Sequence, residues 1–180
     1  AYFFQFLFNR PYSFFNKHSF SIVSDFFCFG IFFLHDSVGM LSFDLVSGLH
    51  PCLSLSDLRR LSQQMARLFR LRRPVVVTLR FVGEAKMLTI NAVQRGKHAP
   101  TDVLSFATAE ELQVLTPKHV PIDWGEVIVC PVYGLREARR RGIDPRDELL
   151  RLIIHGILHL RGYDHVKEEE EMHMFALQES

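Results

Sequence analysis

Short runs of apolar residues follow one another from Leu41 onward, and their length and composition predict β-strands. LSFDLV at 41–46 alternates between apolar and polar residues, which is typical of a strand with one buried face. Three more runs, rich in β-branched and aromatic residues, lie at 75–82, 102–106 and 126–130. The pattern therefore predicts four strands.

Helical periodicity separates these strands. Apolar residues recur every three or four positions after Ser56, which can cap a helix that runs through Leu71. A second helix is predicted over 84–94, and residues 107–125 are predicted as a loop. A third helix begins at the pair Asp144–Pro145 and carries an apolar stripe made of Leu149, Leu152, Ile153, Gly156, Ile157 and Leu160. We expect a single α/β (α+β) domain, with a roughly four-stranded mixed sheet packed by helices.

The composition fits one globular domain. A chain of 180 residues, 48% of them hydrophobic, can bury one core but is short for two. Three scattered cysteines without a CxxC spacing favour reduced thiols in a cytoplasmic protein over a disulfide framework. The net charge of +1 averages over two arginine clusters, at 59–73 and 139–141. Such clusters are more often solvated helix faces than nucleic-acid sites.

Residues 1–39 differ from the rest of the chain. They contain 12 of the 17 phenylalanines, and the first methionine is Met40, directly before the first predicted strand. We expect a folded domain over 40–180 and a Phe-rich extension over 1–39 that is not part of it and arises from start-site assignment or upstream translation. The alternatives are a targeting or membrane segment. The apolar run at 26–34 is shorter than the roughly 20 residues of a spanning helix. No membrane is expected for 40–180, and an organelle location would require residues 1–39 to be a genuine targeting segment.

Three histidines in HGILHLRGYDH, residues 155–165, have a spacing that suits a metal ion. His155 and His159 are four residues apart, so both rings leave the same face of a helix. Gly162 can then adopt the left-handed conformation that reverses the chain and returns His165 toward them. Three imidazoles leave one position of a tetrahedral zinc open for water or a phosphate oxygen, which is the arrangement of catalytic zinc.

The same histidine spacing occurs in zinc peptidases of the HExxHxxGxxH type, where a glutamate after the first histidine is the general base. Here that residue is Gly156, so peptide hydrolysis by that mechanism lacks its base. Two alternatives remain open. One is a metal-dependent hydrolase of another substrate, including a peptidase whose base comes from elsewhere. The other is a non-catalytic protein with a structural metal, although structural zinc usually takes four protein ligands.

Two further stretches are as specific as the histidine motif. They are NAVQRGKHAPTDVLSF at 91–106 and WGEVIVC at 124–130. With the histidines, they resemble the YbeY family of metal-dependent endoribonucleases involved in ribosomal RNA maturation, and the resemblance runs from about residue 41 to the end. The chain departs from the family at Gln94, often an aromatic residue, and at His98, commonly an aspartate. Both departures could alter substrate contacts.

The resemblance implies an enzyme with a zincin-like metal helix. Its activity would be single-strand-specific, metal-dependent endoribonuclease cleavage in the processing of the 16S-type ribosomal RNA 3′ end and in ribosome quality control. The implied partners are ribosomal RNA and the small ribosomal subunit with its proteins. The non-catalytic alternative would then be a ribosome-assembly factor with a structural metal. The implied cofactor is one zinc ion, with nickel among the other divalent metals that imidazoles accept.

Residue by residue, the resemblance places the metal ligands on His155, His159 and His165, with His155 also catalytic. The substrate-binding and catalytic arginine falls on Arg95, where a guanidinium could hold two phosphate oxygens at once. Asp164 could orient a ligand histidine by accepting its free N–H, or could cap the helix that we expect to begin near Lys167. Asp102 and Ser105 are candidate polar contacts near the site.

Overall fold

The computed structural model describes residues 40–163 and, by their backbone alone, residues 32–33. All the described residues belong to one compact unit, within residues 31–180. The described strands are β1 (Phe32–Phe33), β2 (Leu41–Leu45), β3 (Val75–Phe81), β4 (Val103–Ala107) and β5 (Ile122–Val129). The described helices are α1 (Leu55–Leu68), α2 (Glu84–Arg95), α3 (Glu110–Leu115), α4 (Pro131–Arg141) and α5 (Pro145–Leu160).

The strands form one mixed sheet in the order β1-β2-β3-β5-β4. β2, β3 and β5 are parallel, whereas β1 and β4 pair antiparallel at the two edges. The predicted α/β fold with a four-stranded mixed sheet packed by helices is therefore confirmed, with β1 as a short fifth strand. β5 begins at Ile122, four residues before the predicted start.

The helices cover both faces of the sheet. α1 and α5 pack on one face, where Phe43, Val77 and Val127 are buried in the main core. On the other face, Met87 of α2 packs with Leu104 and Ile128 in a smaller cluster. Because successive strand residues face opposite sides, Val127 and Ile128 belong to different cores. The result places α5 directly against β4 and β5.

The start of α1 corrects one prediction. The helix is capped by Ser54, whose hydroxyl accepts a hydrogen bond from the Asp57 backbone N–H at 3.2 Å. Asp57 in turn accepts from the Ser54 N–H at 2.8 Å, which completes a capping box. The predicted cap, Ser56, was wrong because it would place Arg59 three residues later, where a capping box needs an acidic or amide side chain.

Residues 107–125 and 131–141 contain structure that the pattern did not predict. The expected loop contains α3, a six-residue helix. α4 begins at Pro131 and was not predicted, because its polar sequence offers few apolar positions. Gly134 lies where a Cβ would approach Leu152 Cδ1 to 2.6 Å, so the glycine allows α4 to pack closely on α5.

Two expectations about the ends of the chain remain predictions. One is the domain boundary at Met40; β1 lies before it, and its Phe32 pairs with Leu45. The other is the helix expected near Lys167, which lies outside the described residues.

In the part of the chain that is described, no helix is long and apolar enough to cross a membrane.

Candidate metal and phosphate site on helix α5

Close packing of α5 on the sheet positions the two histidines. The apolar stripe of the helix is buried, as predicted. At Gly156, a Cβ atom would lie 2.5 Å from Cγ1 of Val127 in β5, well inside normal carbon–carbon contact. Glycine therefore lets the helix approach the strand, and His155 and His159 lie half-buried beside this contact.

The two imidazole rings face each other. Nε2 of His155 lies 3.1 Å from Nε2 of His159, and the ring planes meet at 78°. Two ligands of a tetrahedral zinc, each at roughly 2.0–2.1 Å, would have nitrogens about 3.3 Å apart. The observed separation also suits a hydrogen bond between the rings. The pair can therefore share a proton or a metal ion, and its donor set fits zinc.

The end of α5 has the predicted reversal. Gly162 has φ +80°, and the Tyr163 N–H donates to the Leu158 carbonyl at 3.1 Å. Within residues 40–163, no third ligand joins the pair to form a metal-binding group. His165 and Asp164 lie outside the described residues, so their roles remain predictions.

Arg95 is the last residue of α2, and Gly96 ends the helix in the left-handed conformation. The side chain is partly buried, and this burial lowers the pKa of its guanidinium below the ordinary value. α2 and α5 lie on opposite faces of the β4–β5 half of the sheet. The chain after Arg95 leads into β4, the edge strand beside both helices. Its role toward the histidines remains a prediction.

The two polar candidates near β4 have different positions. Ser105 pairs with Val127 across the strands, so it lies on the α5 face of the sheet, next to the contact with Gly156. Asp102 instead holds the start of β4. Its carboxylate accepts hydrogen bonds from the Val103 N–H at 2.8 Å and from the Thr101 hydroxyl at 3.1 Å.

A buried charge network on α5 was not predicted. Glu148 is 0% exposed and accepts hydrogen bonds from Arg151 at 2.6 and 2.8 Å and from Arg141 of α4 at 2.8 Å. Burial raises the pKa of Glu148, but the hydrogen bonds and charges of the two arginines outweigh it and hold the pKa below 4.5. The spacing of Glu148 and Arg151, three residues apart in a helix, was the available signal.

Arg151 extends the row of the histidines. It lies four residues before His155, so the two share one side of the helix. The hydrogen bond with Glu148, together with the charges of Glu148 and Asp102, raises the pKa of Arg151. The network therefore holds a positive charge one turn before the histidine pair.

Known proteins resemble this chain over the part that contains the histidine pair. The family model described as Endoribonuclease YbeY matches residues 54–180. The Endoribonuclease YbeY of Bacillus pumilus is 35% identical over 69% of this chain and 80% of its own length. That of Rhodospirillum rubrum is 37% identical over 58% of this chain, a match that spans about half, 52%, of the relative. The solution structure of TM1509 from Thermotoga maritima is 30% identical, with a TM-score of 0.52 over 76% of this chain and 84% of its own.

Proposed function

Because the chain belongs to the YbeY family, we propose that it is a metal-dependent endoribonuclease that hydrolyses single-stranded RNA. The observation that carries the proposal is the histidine pair of α5, with its two Nε2 atoms 3.1 Å apart. The activity of the family, that of an endoribonuclease, supports RNA as the substrate.

The proposed metal centre consists of His155, His159 and His165, with zinc as the first candidate and nickel as another. A bound divalent ion would supply Lewis acidity toward a phosphate oxygen and would lower the pKa of a water molecule. His155 and His159 would each use Nε2 for the metal. Asp164 would accept the other N–H of a ligand histidine and so fix its tautomer.

Arg95 is proposed to bind the phosphate that is cleaved. A planar guanidinium can donate to two oxygens at once, which favours it over an ammonium where negative charge builds up. Its partial burial makes such a contact stronger than in bulk water. Arg95 would orient the phosphodiester from the start of the segment that joins α2 to β4, and the histidines of α5 would hold the metal.

The packing of Gly156 makes a zinc-peptidase mechanism unfavourable. A glutamate base at this position would need a side chain where even a Cβ lies 2.5 Å from Val127. Peptide hydrolysis would therefore require a base from another element. This alternative and a non-catalytic assembly factor remain outcomes of the experiment below.

The proposed cellular role is ribosomal RNA maturation at the 16S-type 3′ end, with a part in ribosome quality control. The proposed partners are ribosomal RNA and the small ribosomal subunit with its proteins, and the proposed location is the cytoplasm. These proposals follow from the family resemblance.

The test is cleavage of a labelled single-stranded RNA by the full chain. We expect cleavage that a chelator abolishes and added zinc restores. His159→Ala should lower the rate at least roughly 100-fold, because even the loss of a residue that orients a metal ligand costs 10–100-fold. His119→Ala is the matched control, since His119 is exposed on a different segment. Circular dichroism verifies that each variant is folded.

Two outcomes would reject the proposal. Cleavage that His159→Ala leaves unchanged would point to a contaminating nuclease or another site. A chain that holds metal and cuts no better than His159→Ala would favour the assembly-factor alternative. A parallel assay with a different substrate tests the remaining alternative, because metal-dependent hydrolysis that survives Arg95→Ala would favour another hydrolase.

A further inference from the structure

An open groove rich in arginine adjoins the end of α5. We call it the arginine groove and define it by Phe69, Arg70, Arg72, Arg73, Trp124 and Arg161. Its volume is about 310 Å³. Arg161 is two residues after His159, so their Cα atoms are at most about 7 Å apart.

Aromatic rings form the floor of the groove. Phe69 and Trp124 meet edge to face with centroids 5.3 Å apart, and Trp124 is only 3% exposed. The guanidinium carbon of Arg161 lies 4.6 Å from the Trp124 centroid and 5.9 Å from that of Phe69. Arg161 is itself exposed. One face of its planar guanidinium therefore packs on the rings while the side chain remains accessible to a ligand.

The wall of the groove is fixed by hydrogen bonds. Nη2 of Arg73 donates to the carbonyls of Thr116 and Pro117, at 3.1 and 2.7 Å. These bonds join the turn after α1 to the segment before β5. Arg70 occupies the left-handed region, φ +47°, where α1 ends, and the Leu71 N–H donates to the Ala66 carbonyl at 3.0 Å. The arginines therefore lie on an ordered turn.

Within residues 40–163, no carboxylate neutralises the positive charge of the groove. Among residues 40–163, none of the side chains lining it is acidic. In the same range, the ion pairs do not involve Arg70, Arg72 or Arg161. All three are exposed. Such a surface is complementary to a polyanion.

We propose that the arginine groove binds the backbone of single-stranded RNA beside the segment held at the histidines. This inference rests on the proposed function and extends the substrate contacts beyond the cleavage site. Phosphates would pair with Arg70 and Arg72, and a base would stack on the accessible face of the Arg161 guanidinium. An acidic protein segment could use the charges but has no nucleobase to stack, so RNA is the better fit.

The test measures RNA binding in the presence of chelator, so that cleavage does not contribute. Affinity of the full chain for a labelled 12-nucleotide RNA is followed by fluorescence anisotropy across a salt series. Arg70→Gln with Arg72→Gln removes two charges, and glutamine keeps the same Cβ in the left-handed position. Arg139→Gln with Arg140→Gln is the matched control, because it removes two exposed arginines from α4.

Loss of two phosphate contacts should lower the slope of log affinity against log salt concentration by about 1.4 in magnitude. It should also lower the RNA affinity at 0.15 M salt by roughly tenfold, whereas the control pair should change both quantities little. Equal effects of the two pairs would overturn the proposal. So would a groove pair that weakens binding of polyglutamate and leaves RNA binding intact. Because binding is read without cleavage, a chain that binds through the groove but never cuts would reject the proposed enzyme and keep this inference. A chain that cuts RNA but binds it independently of Arg70 and Arg72 would reject this inference and keep the proposed enzyme.

Discussion

At the scale of single residues, Gly156 sets how closely α5 approaches β5. Gly156 stands where zinc peptidases have their glutamate base, and its lack of a side chain leaves room for Val127. The glycine therefore affects both the chemistry and the packing of the site. The histidines on either side depend on this approach for their position above the sheet.

Gly156→Ala should therefore destabilise the fold. Alanine gains about 1 kcal/mol of helix propensity, but overlap with Val127 costs about 1–3 kcal/mol. We expect a net loss of about 1 kcal/mol in the free energy of unfolding, measured by urea denaturation. In a Val127→Ala background the overlap is relieved, and the same substitution should raise stability. An identical effect in both backgrounds would show that the two residues do not collide.

Some residues of the site could be predicted from local spacing, and others could not. His155 and His159 are predictable as a pair because an interval of four residues fixes their relation within one helix. Arg95 lies on a different helix, and its relation to the pair depends on the sheet between them. A guanidinium at the end of a helix has no spacing rule of its own, so only the family resemblance indicated it.

At the scale of secondary structure, Glu148 joins α4 to α5. Its carboxylate is buried between Arg141 and Arg151, whose side chains are 47% and 29% exposed. A buried carboxylate is stable only when such partners are present. The pairing therefore holds α4 against the helix that carries the histidines.

Replacement of this carboxylate should cost stability in a pH-dependent way. We expect Glu148→Gln to lower the free energy of unfolding by about 1–3 kcal/mol at pH 7, because two arginines lose a charged partner. The folded-state pKa of Glu148 lies below 4.5. The contribution is therefore fully present above pH 4.5 and is lost as pH falls through the folded-state pKa.

Urea denaturation of both proteins between pH 7 and pH 3 measures this dependence. The difference between wild type and Glu148→Gln should narrow below about pH 4.5. A difference that stays constant over the whole range would show that the ionised carboxylate is not what stabilises the contact. The pKa of Asp57 is also lowered, mainly by its hydrogen bond with Arg146. Because Asp57 is present in both proteins, its contribution to the free energy of unfolding cancels in the difference.

Helix α5 could be predicted from sequence, whereas α4 could not. α5 has a cap, a proline in its first turn and a continuous apolar stripe, and each is a local signal. α4 buries Gly134 and Ala138, small residues whose value depends on the close approach of Leu152. Packing between two helices is a tertiary effect, and the periodicity of apolar residues along one segment does not predict it.

At the scale of the whole molecule, the sheet divides the domain into two layers. α1 and α5 share the larger core, and α2 packs on the opposite face with the smaller cluster. The alternation of buried residues predicted the strands but not their order. The arginine groove likewise unites Arg70, Trp124 and Arg161 from distant parts of the chain, and no run of sequence indicated that they would meet.

The central claim is that the histidine pair of α5 forms part of a metal centre, and zinc binding by the full chain tests it most directly. We expect one zinc per chain by elemental analysis after gel filtration, and loss of that zinc in both His155→Ala and His159→Ala. His119→Ala should keep it. Competition with a zinc-binding dye extends the comparison to affinity. Stoichiometric zinc that survives His159→Ala with unchanged affinity would place the metal elsewhere and contradict the account.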